Sequence, residues 1–264
     1  MRFYFVFYLH FKGEIMSKYL FLSIFFISGL FGEDFVVGTT SGYAPYVSLD
    51  EEGKYVGFDI DFAEALAKKL DRTLVIKDLG SMPSLFLALK LGKIDAIIWA
   101  ISITQERQKV VEMVYYQGEK VTQLPMLFWK TIPDNVRRPE DLANNPKAVV
   151  CVEAGSFQEG VLQKVEGLKV KQVDKVMDAI LELKFSKACA TMIDPSLLSR
   201  YKAQFPELKV LDVALAPSQQ SLGNGICLSK DNSPLSHDVQ QAVEALQNEG
   251  QIRLLEEKWG LVAK

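Results

Sequence analysis

From about residue 35 onward, short apolar runs alternate with amphipathic stretches. This alternation constrains the chain more than any other feature, because it calls for α/β sheets joined by crossover helices. Phe35 to Thr39 predicts a first strand, and Asp50-Glu51-Glu52-Gly53 predicts the turn of a hairpin ending at Val56. Phe58, Phe62, Leu66 and Leu70 recur every fourth residue, so Asp59 to Lys69 reads as a helix with one buried face. Leu74 to Lys77 is the next strand. Pro83 opens a second helix that Gly92 ends, and Ile94 to Trp99 is a buried strand. Gln105 to Met113 is charged and reads as helical.

A second set begins after residue 120. It predicts strands at Ala148–Val152, Lys169–Val173 and Ala188–Ile193, with helices at Gly155–Val165 and Asp174–Phe185 and another opened by Asp194-Pro195. The unit Leu85 to Ala100 is echoed by Met177 to Asp194, which points to two lobes of similar construction. Late elements are strands 208–213 and 225–229 and helices 234–248 and 251–259.

Residues 1–32 read differently. Met16-Ser17-Lys18 followed by the apolar run Tyr19 to Phe31 has the charged start and short greasy centre of a secretory signal, with removal expected near Gly32 and residues 1–15 as an upstream extension. The alternative is a membrane anchor, but an apolar run of about 13 residues falls short of the roughly 20 needed to span a bilayer. Of the chain's 30 basic and 33 acidic residues this segment holds Arg2, Lys12, Lys18 and Glu14, so its loss leaves 27 against 32, net −5. No basic stripe is left to neutralise a phosphate backbone, which argues against nucleic acid as a partner. Cys151, Cys189 and Cys227 each sit in an apolar run. Buried free thiols are the plain expectation, and a Cys151–Cys189 disulfide is the sharper one. No spacing suits a metal site, and no cofactor motif is present.

Two loops carry chemistry. Arg107 follows Ser102-Ile103-Thr104, just beyond the predicted strand 94–99, where open α/β sheets bind ligands. Its planar guanidinium can make two parallel hydrogen bonds to a carboxylate, although a solvated helix arginine would look the same. Gly155-Ser156-Phe157 lies at a strand-to-helix junction, where free N–H groups and the helix dipole would favour an anion; Ser156 also suits an N-cap.

Tyr43-Ala44-Pro45-Tyr46, Gly57-Phe58-Asp59-Ile60-Asp61-Phe62-Ala63, Gly92-Lys93-Ile94-Asp95-Ala96-Ile97-Ile98 and Ser102-Ile103-Thr104-Gln105-Glu106-Arg107, in that order and spacing, resemble the amino-acid-binding proteins of ABC importers, solute-binding family 3. The likeness runs from about residue 34 to the C-terminus and lies closest to the arginine and basic-amino-acid binders. It implies a type II periplasmic-binding, Venus-flytrap fold. Lobe 1 would comprise residues 33–120 plus 221–264 and lobe 2 residues 121–220, with a hinge of two crossings near 118–122 and 218–223. It also implies a monomeric periplasmic receptor, without catalysis, that delivers a free amino acid to a membrane permease.

The same resemblance implies the site. Arg107 and Ser102 would meet the ligand carboxylate, joined from the second lobe by the Gly155 loop. Asp194 and the Ala100 carbonyl would take the ammonium; Asp194 serves equally as an N-cap for the helix after it. Tyr43 would be the wall against the side chain, Met82 stands where relatives place a second aromatic, and Trp99 stands where a small residue is common. Glu153 would read the far end of the ligand and welcome a guanidinium or ammonium, with an exposed loop glutamate as its alternative. Thr40 and Ser41 add hydroxyls. The resulting expectation is a basic amino acid, arginine ahead of lysine and ornithine. Asp59 and Asp61 are expected to cap and solvate a helix. Rival readings are another polar amino acid, a lyase such as a cyclohexadienyl dehydratase with Glu153 as proton donor, and a surface-displayed adhesin.

Overall fold

The structure is a computed structural model and describes residues 33–262. The predicted secretory segment lies outside them. Strands β1 (Asp34–Thr39), β2 (Ser48–Leu49) and β3 (Tyr55–Val56) come first, followed by helix α1 (Phe58–Lys69), β4 (Thr73–Asp78), α2 (Met82–Lys90), β5 (Ala96–Ile97), α3 (Gln105–Val110) and β6 (Glu112–Gln117). The chain then forms β7 (Gln123–Trp129), α4 (Pro139–Ala143), β8 (Val149–Glu153), α5 (Phe157–Leu162), β9 (Lys169–Val173), α6 (Val176–Lys184), β10 (Ala190–Met192), α7 (Leu198–Gln204) and β11 (Leu208–Ala214). It finishes with β12 (Asn224–Leu228), α8 (Ser233–Asn248) and α9 (Gln251–Trp259).

These elements make two five-stranded sheets and a small hairpin. One sheet has the order β4-β1-β5-β12-β6 and the other β11-β7-β10-β8-β9. In the first, β1 pairs in parallel with β4 and β5, while β12 runs antiparallel to β5 and β6. The second repeats the scheme, with β8 parallel to β9 and β10, and β7 antiparallel to β10 and β11. Only residues 118–122 and 215–223 pass between the sheets, and the two segments touch through a Val121–Ser221 bridge. Each sheet has its own buried core. Phe35, Phe58, Phe62, Ile97 and Tyr116 centre the first, and α8 and α9 pack back onto α1 to close it.

Several readings need correction. The run 94–99 contributes only Ala96 and Ile97 to the ladder, because the backbone leaves the sheet before Ala100 turns left-handed at φ 43°. The helix expected to reach Met113 stops at Val110, and residues 112–117 form β6 instead. Strand β7 was not anticipated. It contains Pro125, which argues against an inner strand, yet it sits between β10 and β11. Asp59 does not solvate α1: it is 1% exposed. Asp61 instead accepts hydrogen bonds from Lys258 Nζ and Trp259 Nε1, both at 2.6 Å, and so ties α9 to α1.

The three cysteines are free. Cys151 has Thr191, not Cys189, as its partner in register, and the Cys189 thiol donates to the Val149 carbonyl at 3.2 Å. Among the described residues, no helix is long and apolar enough to cross a membrane.

Candidate functional site

Beyond β5 the first sheet gives way to a polar loop whose shape is fixed from beneath. The Ala100 N–H donates to Asp59 Oδ2 at 2.8 Å and approaches the Tyr116 hydroxyl at 3.2 Å, while that hydroxyl donates to Asp59 Oδ1 at 2.7 Å. Burial pushes the Asp59 carboxyl up to about 7, against the pull of these two hydrogen bonds. Thr104 caps α3 by accepting the Arg107 N–H at 3.2 Å, which sets the arginine on the first turn.

The half-buried Arg107 side chain then turns into the seam between the sheets. Nη1 donates to the Ser102 carbonyl at 2.8 Å, and Nη2 donates to the Met82 thioether at 3.2 Å and to the Gly155 carbonyl at 3.0 Å. All three acceptors are uncharged. Burial pulls the guanidinium down from its ordinary value, and Cys227, Tyr43, Glu153 and Asp194 oppose that pull.

The second sheet offers a matching loop after β8. Gly155 is left-handed at φ 74°, and Ser156 caps α5 by accepting the Glu159 N–H at 3.0 Å. The amides expected to stand free for an anion are partly spoken for. The Gly155 N–H donates to Glu159 Oε2 at 2.6 Å, and the Ser156 N–H donates to the Glu153 carbonyl at 3.2 Å. Phe157 is buried beside them. Asp194 acts as the N-cap its position suggested, with Oδ1 accepting from the Ser196 N–H at 2.9 Å and the Ser196 hydroxyl at 2.5 Å. Burial still pushes its carboxyl up.

Two hollows lie along the seam. One of about 250 Å³ is lined by Thr104, Arg107, Gly155, Ser156 and Phe157, together with Gln219 from the crossing segment. The other, about 230 Å³, is lined by Thr40, Ser41, Tyr43, Trp99, Glu153 and Tyr201. The expected site residues therefore divide between the two. Ala100, Ser102, Met82 and Asp194 line neither, although Ser102 and Met82 bond Arg107 directly and the Asp194 charge reaches it. Tyr43 meets Trp99 with ring centroids 5.2 Å apart and planes tilted by 55°, and packs against cores from both sheets.

Glu153 is 7% exposed and is no solvated loop residue. Burial pushes its carboxyl up to about 8; Arg107 and Lys175 draw it down, and Asp194 pushes it further up. Thr40 and Trp99 line the same hollow, and Thr40 Oγ1 and Trp99 Nε1 are buried without a hydrogen-bond partner, a costly state unless something else supplies one.

Three residues of this frame escaped the sequence reading. Asp59 stands three, four and seven positions before Phe62, Ala63 and Leu66, so helical periodicity alone places it on the apolar face. Its hydroxyl partner Tyr116 lies between Met113 and residue 120, where the sequence suggested no element. Ser156-Phe157-Gln158-Glu159 has the spacing of a capping box, which would have drawn attention to Glu159.

Two sheets joined by two crossing segments, with a guanidinium in one wall and buried carboxylates in the other, define a two-lobed binding protein of the type II periplasmic class. The chain belongs to the bacterial extracellular solute-binding proteins, family 3, whose profile matches residues 35–262. It is 33% identical over 229 residues to the probable ABC transporter arginine-binding protein ArtJ of Chlamydia trachomatis, covering 87% of this chain and 86% of that one. Among solved structures, an ancestral arginine-binding protein bound to arginine superposes with a TM-score of 0.73 at 32% identity, covering 86% of this chain and 97% of the other. Holo ArgBP from T. maritima gives 0.71 at 30% identity, with 86% and 95% covered.

Proposed function

We propose that this protein is a periplasmic receptor that holds a free amino acid with a cationic side chain, arginine first, between two closing lobes and presents it to the permease of an ABC importer. Lobe 1 comprises residues 33–120 plus 221–264 and lobe 2 residues 121–220, hinged at the two crossing segments. The receptor acts as a monomer, exported by residues 1–32, which are then removed.

One observation carries this reading. Arg107 is half-buried among neutral acceptors, while Glu153 is buried nearby with its carboxyl held up to about 8. Arg107 is a cation lacking a tight counter-ion, and Glu153 is an acid whose ionised form lacks one, which is why burial holds it protonated. A ligand with a carboxylate at one end and a guanidinium at the other balances both. Asp194, whose Oδ1 alone serves as the cap, keeps its second oxygen for the ligand ammonium. The Gly155 loop, Ser156 and Phe157 close over the carboxylate end, with Ser102 facing it from lobe 1, while the Ala100 carbonyl joins Asp194 at the ammonium. Tyr43, Met82 and Trp99 form the wall of the side-chain slot. An affinity near 1 μM corresponds to about −8 kcal/mol, within reach of two paired charges in a closed cleft.

A second reading is favoured by Trp99, which lines the Glu153 hollow and whose Nε1 is a buried donor without a partner, a group that would suit the carbonyl of an amide side chain. Catalysis is the weaker reading. Glu153 offers the protonated acid a lyase needs, but the aromatic wall fits a held side chain, and prephenate and arogenate should be recovered unchanged. Calorimetric titration with the twenty amino acids and ornithine separates the ligands. Arginine should bind tightest; glutamine binding more tightly than arginine would favour the amide reading.

A further inference from the structure

The two loops that meet at Arg107 are built on the same plan. In lobe 1 the left-handed residue is Ala100, and a carboxylate from the first turn of α1 takes its N–H. In lobe 2 the left-handed residue is Gly155, and a carboxylate from the first turn of α5 takes its N–H. Both acids are buried, Asp59 at 1% and Glu159 at 5% exposure; Asp59 lines neither hollow, and Glu159 borders the Arg107 hollow with both carboxylate oxygens already engaged within its own lobe. We propose that Asp59 and Glu159 are a matched pair of positioning residues, each locking from inside its own lobe the one left-handed peptide that shapes that lobe's half of the amino-acid site. This inference rests on the proposed function.

The geometry gives each acid a specific task. The β-carbon of an L-residue resists the left-handed conformation, so Ala100 needs an external hold that a glycine would not. Asp59 supplies it, and the Tyr116 hydroxyl fixes the carboxylate in turn, so the peptide carrying Ala100 has a single orientation toward the cleft. Glu159 acts on a residue whose other backbone group is already at work: the Gly155 N–H is held by Glu159 while the Gly155 carbonyl accepts from Arg107 of the opposite lobe. The remaining Glu159 oxygen is braced by the side-chain amides of Gln163 and Gln172. A loop whose bound geometry is fixed in advance loses less freedom on binding, and affinity gains by that amount.

The test separates positioning from simple fold support. Asp59→Ala and Glu159→Ala are compared with Asp59→Asn and Glu159→Gln, whose amide oxygens can still accept the Ala100 and Gly155 N–H. Arginine affinity is measured by calorimetry on protein shown to be folded by circular dichroism, and exchange of the two amides is followed by NMR. The alanine variants should lose at least tenfold in affinity and expose the Ala100 or Gly155 amide, and the amide variants should stay within threefold of the parent. If an alanine variant does not fold, Asp59→Ser and Glu159→Ser, too short to reach the amides, take its place under the same thresholds. Folded variants that bind arginine within threefold of the parent would overturn the inference while leaving the receptor reading intact. A parent protein that binds no amino acid would overturn the receptor reading itself.

Discussion

The two walls of the cleft carry opposite electrostatic deficits. Lobe 1 contributes Arg107, whose hydrogen bonds all go to uncharged acceptors. Lobe 2 contributes Glu153 and Asp194, both carboxyls pushed up by burial. Neither wall neutralises itself, and the field across the seam only partly does so. On the proposed reading, selectivity comes from a missing dipole more than from shape: a molecule with its anionic end toward lobe 1 and cationic groups toward lobe 2 would complete both walls at once.

Loss of the lobe 1 charge should have the largest effect. Arg107→Ala should weaken arginine binding by about 3–5 kcal/mol, roughly 150- to 5,000-fold, because a carboxylate is then buried without its partner. Lysine at this position should recover only part, since it cannot make the paired bonds. Equilibrium dialysis with labelled arginine would register both, and an alanine variant that binds normally would exclude a carboxylate role for Arg107.

Removing the lobe 2 charge should cost less. Glu153→Gln should weaken arginine binding by about 2 kcal/mol, roughly thirtyfold, while glutamine binding should hold or improve. Competition titration checks the ratio, and equal losses for the two ligands would contradict a guanidinium partner at this position.

The same carboxyl predicts a pH dependence of definite sign. With its value near 8, Glu153 is mostly protonated at pH 7 in the free receptor. A bound guanidinium favours the ionised form, so binding expels a proton. Arginine affinity should therefore rise by up to about tenfold per pH unit from 6 to 7 and level off above 8. Calorimetry in buffers of different ionisation enthalpy counts the released proton directly. The Glu153→Gln variant should lose this slope.

The smallest effect belongs to the outer rim. Lys164 and Glu106 form a 2.9 Å ion pair between the lobes, but both side chains are about half exposed. Lys164→Ala should change affinity by no more than about 1 kcal/mol, and less at high salt. A loss as large as that of Arg107→Ala would shift the account from ligand charges to direct lobe contacts.

How much of this was legible in the chain depended on whether polarity and periodicity agreed. Helices α1, α8 and α9 and strands β1, β4 and β9 carry unbroken patterns and were readable. Strand β7 was hidden by Pro125, and β6 by the charged run that feeds into it from α3. Arg107 and Glu153 were legible because both lie at or just beyond the ends of apolar strands, where an α/β sheet presents side chains to a ligand. Asp59 and Glu159 were not, because an acid near a helix start reads as a solvated cap until its burial is known. The local sequence also could not show that the Gly155 and Ser156 amides would be taken up within their own lobe.

A crystal structure of the protein grown with arginine tests the central claim most directly. The α-carboxylate should pair with the Arg107 guanidinium, and the ligand guanidinium should lie within hydrogen-bonding distance of the Glu153 carboxylate. Arginine lying the other way round, or held away from both residues, would contradict it.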